Sequence, residues 1–314
     1  MFIMSPITVV IPVYNRAHTL PRTLRSIESQ NIAPAAVVLV DNNSTDGSLP
    51  LMQEWAASHD NVIVVSERRP GASAARNRGL SEVMTDWTMF FDSDDEMLPT
   101  HIEDFTRAIA ENPGVDIMGR DYMTEREGKL RRQYYSASNP VFSHIFRSSL
   151  STLRYAARTE LFRRCGGWNM EVGGWDDYEL GMRLLMENPV MGSVGGDPSA
   201  IAHFESESLT GESFTARGGE WEKVLATMRR VAHEHGRHDV DRWLDARSMV
   251  LAAEYAIEAR KLDCEKMRGQ AEAYSRALYE EVMARTDCPR RMNLIFRYRT
   301  VFPRLAWVLA RAIL

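Results

Sequence analysis

Over its first hundred residues the chain alternates short apolar runs with longer stretches whose apolar positions recur every three or four residues. Ile7-Thr8-Val9-Val10-Ile11-Pro12-Val13 is β-branched and closed by Tyr14-Asn15, which predicts a strand and a turn. Leu20, Leu24 and Ile27 then follow at helical spacing up to Gln30. Ala36-Val37-Val38-Leu39-Val40 is too short and too β-branched for a helix, and Asp41-Asn42-Asn43-Ser44 stops it. Leu49 to Ser58 reads as helix, Asn61 to Ser66 as strand and Ala72 to Val83 as helix. Trp87 to Phe91 is a further buried strand, stopped by Asp92-Ser93-Asp94-Asp95. Strands alternating with helices of about ten residues imply parallel pairing with right-handed crossovers, hence a doubly wound α/β sheet. In such sheets ligands sit beyond the carboxyl ends of the strands.

The pattern then weakens. Gly119 to Ser151 is polar and Arg-rich and reads as loops with short strands. Thr159 to Arg164 reads as helix, Gly166-Gly167 breaks it, and Asp176 to Glu187 forms a second helix. Beyond residue 214 the character changes. Trp221, Val224, Leu225, Met228 and Val231 form one helical stripe; Leu244, Leu251, Tyr255 and Leu262 another; Met267, Ala271, Tyr274, Leu278 and Val282 a third. We therefore expect an α/β domain over 1–214, in two halves at 1–118 and 119–214, and a helical region over 215–314.

Composition narrows the class. The 314 residues are 44% hydrophobic and 26% charged, a globular profile. The net charge of −5 supplies no basic field for nucleic acid. Cys165, Cys264 and Cys288 are odd in number and widely spaced. That excludes a disulfide framework and a cysteine zinc site and fits a reducing cytosol. The start of the chain has no signal-peptide pattern. No apolar run approaches the about 18 residues a membrane span needs. The expectation is a cytoplasmic protein.

Two candidate carboxylates follow from strand order alone. Asp41 and Asp92 each follow an apolar strand, so both project from one sheet edge. Asp is also a favoured turn and N-cap residue, and Asp41 by itself says little. Asp92-Ser93-Asp94-Asp95 after four hydrophobic residues tips the balance towards a site for a hard cation such as Mg²⁺ or Mn²⁺, which takes one or two carboxylates plus substrate phosphates.

Four runs occur in order: Ile11-Pro12-Val13-Tyr14-Asn15-Arg16; Val40-Asp41-Asn42-Asn43-Ser44-Thr45-Asp46-Gly47-Ser48; Gly71-Ala72-Ser73-Ala74-Ala75-Arg76-Asn77-Arg78-Gly79; and Phe91-Asp92-Ser93-Asp94-Asp95. Together they resemble family 2 glycosyltransferases of the GT-A fold, over roughly residues 6 to 210. The resemblance implies a GT-A-type doubly wound, mixed but mainly parallel sheet flanked by helices. It implies that 1–118 binds the nucleotide-sugar and 119–214 the acceptor. Pro12, Tyr14, Asn15 and Asp41 are expected to hold the nucleoside, with Asp41 on the base. Arg76 is expected near the base or diphosphate, Asp92 near the ribose, Ser93 among the residues that bind the nucleotide-sugar, and Asp94 on an Mn²⁺ or Mg²⁺ ion. His203, before a Ser-rich turn, would complete the metal shell or touch the diphosphate; an ordinary loop histidine is the competing reading.

Downstream, Arg158 to Asn169 is similar to the family stretch leading from a helix into a Gly-Gly-aromatic turn. Gly174-Trp175-Asp176-Asp177-Tyr178-Glu179-Leu180 resembles the family's acidic segment, with Asp177 at the catalytic-base position and Asp176 where Glu is usual. Asp177 and Glu179 lie on different faces of a helix start, so one of them faces substrate. Both also favour a helix N-terminus electrostatically. Trp168 and Trp175 flank the expected acceptor cleft, where they could stack on a sugar; packing is the commoner role of Trp. His233, His235 and His238 read as solvated, an adventitious metal site at most.

The implied activity is metal-dependent, inverting transfer of one hexosyl-type sugar from a nucleotide-diphosphate sugar, by default a UDP-sugar, to a glycan or lipid-linked acceptor hydroxyl in cell-surface polysaccharide assembly. A Gln-x-x-Arg-Trp element is absent, since Asp239 precedes Val240-Asp241-Arg242-Trp243, which favours single-sugar transfer. A Gly-x-Gly-x-x-Gly loop after the first strand is missing, against NAD chemistry. The competing reading is a non-catalytic nucleotide-sugar-binding subunit of the same fold. Residues 290–314 carry six Arg and no acid among apolar residues. They read equally as a peripheral contact with the inner membrane face or as a helix packed on the domain.

Overall fold

The structure is a computed structural model and describes residues 4–204, 220–261, 265–301 and 312. Contacts divide the chain into two compact units, Met1–Pro140 with Ser149–Glu205, and Val141–Ser148 with Ser206–Leu314.

In the first unit β1 (Ile7–Val13), β2 (Ala36–Asp41), β3 (Val62–Ser66) and β4 (Trp87–Phe90) alternate with α1 (Leu20–Glu28), α2 (Ser48–Ala56) and α3 (Ala72–Glu82). The chain continues through β5 (Glu96–Met97), α4 (His101–Glu111), β6 (Ile117–Gly119), β7 (Tyr122–Arg126), β8 (Lys129–Gln133) and α5 (Pro140–Arg147), whose residues from Val141 on belong to the second unit. Then come β9 (Tyr155–Arg158), α6 (Thr159–Arg164), α7 (Asp176–Met186), β10 (Met191–Ser193) and β11 (Ala200–His203). The main sheet has seven strands in the order β10-β6-β9-β4-β1-β2-β3. Its strands run parallel except β9, which is antiparallel to both β4 and β6.

From β1 the chain winds outward through β2 and β3, then returns to place β4 on the other side of β1. The switch point of this sheet is therefore the gap between β1 and β4. Pro12 marks it. The Val10 carbonyl still accepts from Phe91 N at 3.0 Å, and β4 ends at Phe90. The Pro12 nitrogen, two residues on and facing the same side, lies where no neighbouring strand remains to use a donor, so proline is tolerated in a central strand.

The core follows the alternation read in the sequence. Val9, Ile11 and Val13 pack with Leu39, Leu24, Ile27, Ile102 and Phe105 on one face. On the other face α3 lies so close to β1 that a Cβ at Gly79 would meet Val10 Cγ1 at 2.3 Å. Only glycine permits that approach. A second sheet of four strands, β5-β11-β7-β8, joins the segment after the Asp92-Ser93-Asp94 run to the end of the unit.

In the second unit, described by itself, α8 (Glu220–Glu234), α9 (Asp241–Lys261) and α10 (Glu265–Arg285) cover the three predicted stripes save Leu262, which lies outside the described residues, and α11 (Pro289–Val301) comes after them. Asp245, with its side chain 4% exposed, accepts from Arg229 at 2.5 Å and Arg285 at 2.6 Å. One expectation is corrected here. Gly119–Ser151 does contain short strands, yet Pro140–Arg147 is the helix α5, and Phe142 meets the Trp243 ring edge-on at 5.3 Å. Two turns are too few for periodicity to register, and so short a helix is held by burial of its apolar face. A second correction concerns His233. It is not merely solvated: its Nε2 lies 2.9 Å from Asp241, which Arg229 also grips at 2.9 Å. His233, His238 and Asp241 are the one metal-like grouping among the described residues, with ligand atoms within 4.8 Å of one another.

No described helix is long and apolar enough to cross a membrane. Within the expected membrane-contact stretch 290–314, residues 302–311, 313 and 314 lie outside the described residues, as does the Ser-rich turn after His203.

Candidate active site

The carboxyl ends of β1, β2 and β4 open onto one edge, and the loops there are tied together before any ligand arrives. Asn15 sits in the left-handed region at φ 50°. Its Oδ1 accepts from Thr45 N at 2.8 Å, its own amide donates to Ser44 Oγ at 3.1 Å, and the Arg16 amide donates to Ser48 Oγ at 2.8 Å. These bonds fix the loop after β1 to the loop after β2. Asp41 ends β2, is buried, and accepts from Ser44 N at 3.2 Å. Tyr14, 56% exposed, stands out from the same edge and leaves a free aromatic face. Asn42, to which the sequence reading assigned no role, organises the next loop. Its Nδ2 donates to the Glu67 and Arg69 carbonyls at 2.9 and 2.7 Å, and its Oδ1 accepts from Gly71 N at 2.8 Å. That sets the start of α3.

The acidic run after β4 is crowded. Burial and the Asp92 charge raise the Asp94 carboxyl above its ordinary range, against the opposing pull of Arg16, whose Nε lies 3.5 Å from Asp94 Oδ2. Asp95 is buried and raised further, by desolvation and then by Asp92 and Asp94. Carboxylates that resist ionising together are a donor set that a divalent cation relieves, and their oxygens suit Mg²⁺ or Mn²⁺. The residues fit such an ion. Ser93 is buried, and its carbonyl accepts from Thr19 Oγ1 at 3.2 Å. His203 lies on β11 with Nε2 3.2 Å from Glu96 and Nδ1 3.5 Å from Glu125. Its backbone amide donates to Asp95 at 3.1 Å. The imidazole is thus held between two glutamates, and the contact with the acidic run is made by its backbone.

The second side of the site comes from α7 and the turn before it. Arg76, 6% exposed, donates to Asp92 at 2.8 Å and to Asp176 at 2.6 Å, and lies 4.4 Å over the Trp168 ring. Ser73 Oγ adds a bond to Asp176 at 3.1 Å. The cation expected at the base or diphosphate therefore holds two carboxylates together, and Asp176 faces Arg76. Trp168 is corrected from sugar platform to core residue. It is 2% exposed and meets Phe90 edge-on at 5.1 Å, so no face is left for a sugar. Trp175 is half-buried with φ 60° immediately before α7, its ring 5.4 Å from Tyr178. Glu179 is buried and held by Arg183 at 2.6–3.1 Å. Asp177, between them, is partly exposed. Burial and the Asp176 charge, partly offset by Arg76, push its carboxyl up to about 7. A carboxylate poised there can take a proton at neutral pH.

With this geometry in view the relatives are informative. The profile of "Glycosyl transferase family 2" matches residues 8–168. The chain belongs to that family. It is 32% identical to Glycosyltransferase GlyA of Streptococcus pneumoniae over 129 residues, 41% of this chain and 18% of that protein. It is 30% identical to the Cholesterol galactosyltransferase of Borreliella burgdorferi over 110 residues, 35% of this chain and 31% of that one. The chain thus spans less than a third of the length of these relatives. Among solved structures, S. aureus TarS 1-349 in complex with UDP-GlcNAc superposes with a TM-score of 0.69 at 17% identity, covering 98% of this chain and 90% of that one. The fold is GT-A, as the order of motifs implied.

Proposed function

We propose that the protein is a metal-dependent, inverting glycosyltransferase that moves one sugar from a nucleotide-diphosphate sugar to an acceptor hydroxyl. The observation that carries this reading is Asp177: a partly exposed carboxylate at a helix start, raised to about 7, beside the sheet edge that carries Asp41 and Asp92. Tyr14 and Asp41 hold the nucleoside, with Asp92 near the ribose. Asp94 would hold the divalent ion, with the His203 backbone tied to the adjacent Asp95. Bound there, the ion would offset charge accumulating on the diphosphate. Asp177 takes the proton of the acceptor hydroxyl as it attacks the anomeric carbon, and the diphosphate leaves from the opposite face. One displacement inverts the centre, and the diphosphate needs no acid to leave.

A UDP-sugar is the donor we favour, supported by the UDP-GlcNAc complex of the TarS relative. A glycan or lipid-linked acceptor at the inner membrane face is the setting we favour. The test is donor turnover across UDP-, GDP- and dTDP-sugars with and without Mn²⁺, in the wild type, Asp94→Ala and Asp177→Asn. Metal-dependent turnover of one donor, lost in both variants, supports the reading. Donor binding with no transfer to any acceptor tried would favour the binding-subunit alternative.

A further inference from the structure

Trp168 lies in a turn that is held from two sides. Gly166 and Gly167 both take positive φ, 75° and 71°, and carry the chain from α6 back towards α7. α3 grips this turn from one side. Asn77 Oδ1 accepts from Trp168 N at 2.7 Å, and Asn77 Nδ2 donates to Trp168 O at 2.8 Å, a paired bond of the kind one strand makes to another. A Cβ at Gly167 would lie 2.4 Å from Asn77 Oδ1, so the residue is glycine on two counts. α7 grips the turn from the other side. Arg183 Nη1 donates to the Cys165 and Gly167 carbonyls at 2.5 and 2.7 Å, while its Nε and Nη2 hold Glu179. Asn169 Nδ2 adds a bond to Glu179 at 3.3 Å.

Two ties therefore run from α3 to the first turn of α7. One is direct, from Arg76 and Ser73 to Asp176. The other passes from Asn77 through the Gly167-Trp168 backbone to Arg183 and Glu179. Asp177 lies between their two end points. We propose that Asn77, with Gly167 and Arg183, is a positioning lock for Asp177: it sets where the base stands relative to the donor edge without touching donor or acceptor. This rests on the glycosyl-transfer reading. Proton transfer and displacement demand near-attack geometry, and a misplacement of about 1 Å is enough to lower a rate about 100-fold. The bonds of Asn77 and Arg183 to the Cys165–Trp168 turn involve none of the residues assigned to the donor, Tyr14, Asp41, Asp92 and Asp94.

Two variants and two readouts test the lock. Asn77→Ala removes both bonds to Trp168. Asn77→Asp keeps the bond from the Trp168 amide, loses the one to its carbonyl, and decides the question if Asn77→Ala does not fold. We expect kcat for transfer to fall by about 10- to 100-fold with the donor KM within about threefold, since the transition state alone loses alignment. A merely structural residue would change neither ratio in that pattern. A donor KM that rises in parallel with the loss, or a kcat unchanged, overturns the proposal. Amide hydrogen exchange gives a reading independent of activity. Exchange at Gly167–Trp168 and at Tyr178–Glu179 should quicken together in the variant, while β1 and β2 keep their protection. Quickening at the turn alone means that it is not coupled to α7, and the proposal fails. If the wild type transfers no sugar, the functional reading fails and the exchange result still judges the lock.

Discussion

The two sides of the site are built by opposite means. The donor edge is made of strand ends and the loops that follow them, and its tying bonds run largely from side chains to nearby backbone: Asn15 to Thr45, Asp41 to Ser44, Asn42 to Gly71. The base side is held by side chains that reach across about a hundred residues of sequence, Arg76 to Asp176 and Asn77 to the Trp168 backbone. The first arrangement is pre-formed by the sheet. The second depends on ion pairs, whose strength varies with desolvation and with loss of a partner.

The largest expected effect tests the base side directly. Asp177→Asn should lose at least about 100-fold in transfer rate while donor affinity, read by calorimetry, stays within about threefold. A variant that keeps most of its rate would place the base elsewhere and dissolve the contrast. Next, Arg76→Met leaves the partly buried Asp92 and Asp176 without their shared, buried cation. A destabilisation of about 3–5 kcal/mol by urea unfolding is expected. Loss of less than about 1 kcal/mol would show that the pairs are screened and the base side is no more electrostatic than the donor edge.

A smaller effect concerns pH. Folding raises the Asp177 carboxyl from the ordinary ~4 of an unfolded aspartate to about 7. The folded protein holds that proton more tightly, so the contribution to stability is full below about 4 and is lost as pH rises through about 7. Relative to Asp177→Asn, the wild type should lose about 1–3 kcal/mol between pH 4 and 8, discounted for partial exposure. Transfer should rise over the same range as the base ionises. Curves of thermal stability against pH that run parallel in the two proteins would contradict the shift. The smallest effect is the control. Arg107→Ala removes the exposed α4 pair with Glu103 and should change stability by less than about 0.5 kcal/mol.

The legibility of the two sides differs for the same physical reason. Strand ends such as Asp41 and Asp92 could be placed from the chain alone, because a parallel sheet sends successive carboxyl ends to one edge. Helices α6 and α7 were legible as well, from the Gly-Gly break and the acidic start. The partners of those residues were not. Arg76 read as a ligand-binding cation, Trp168 as a stacking surface, and Asn77 drew no attention inside the run that contains it. No local pattern says that a guanidinium will be used up by two carboxylates or that an indole will be covered. His233 shows the same limit on a smaller scale, its acidic partner arriving from the next helix.

The first four strands, the helices between them, the family and the edge at which the chemistry gathers were legible in the chain alone, because apolar periodicity and strand-end acids are local properties carried by consecutive residues. Which charges neutralise one another, which aromatic is buried and how the start of α7 is held emerge from the folded arrangement. Burial and pairing are properties of side chains brought together from distant parts of the chain, and their energies depend on the water that the fold excludes.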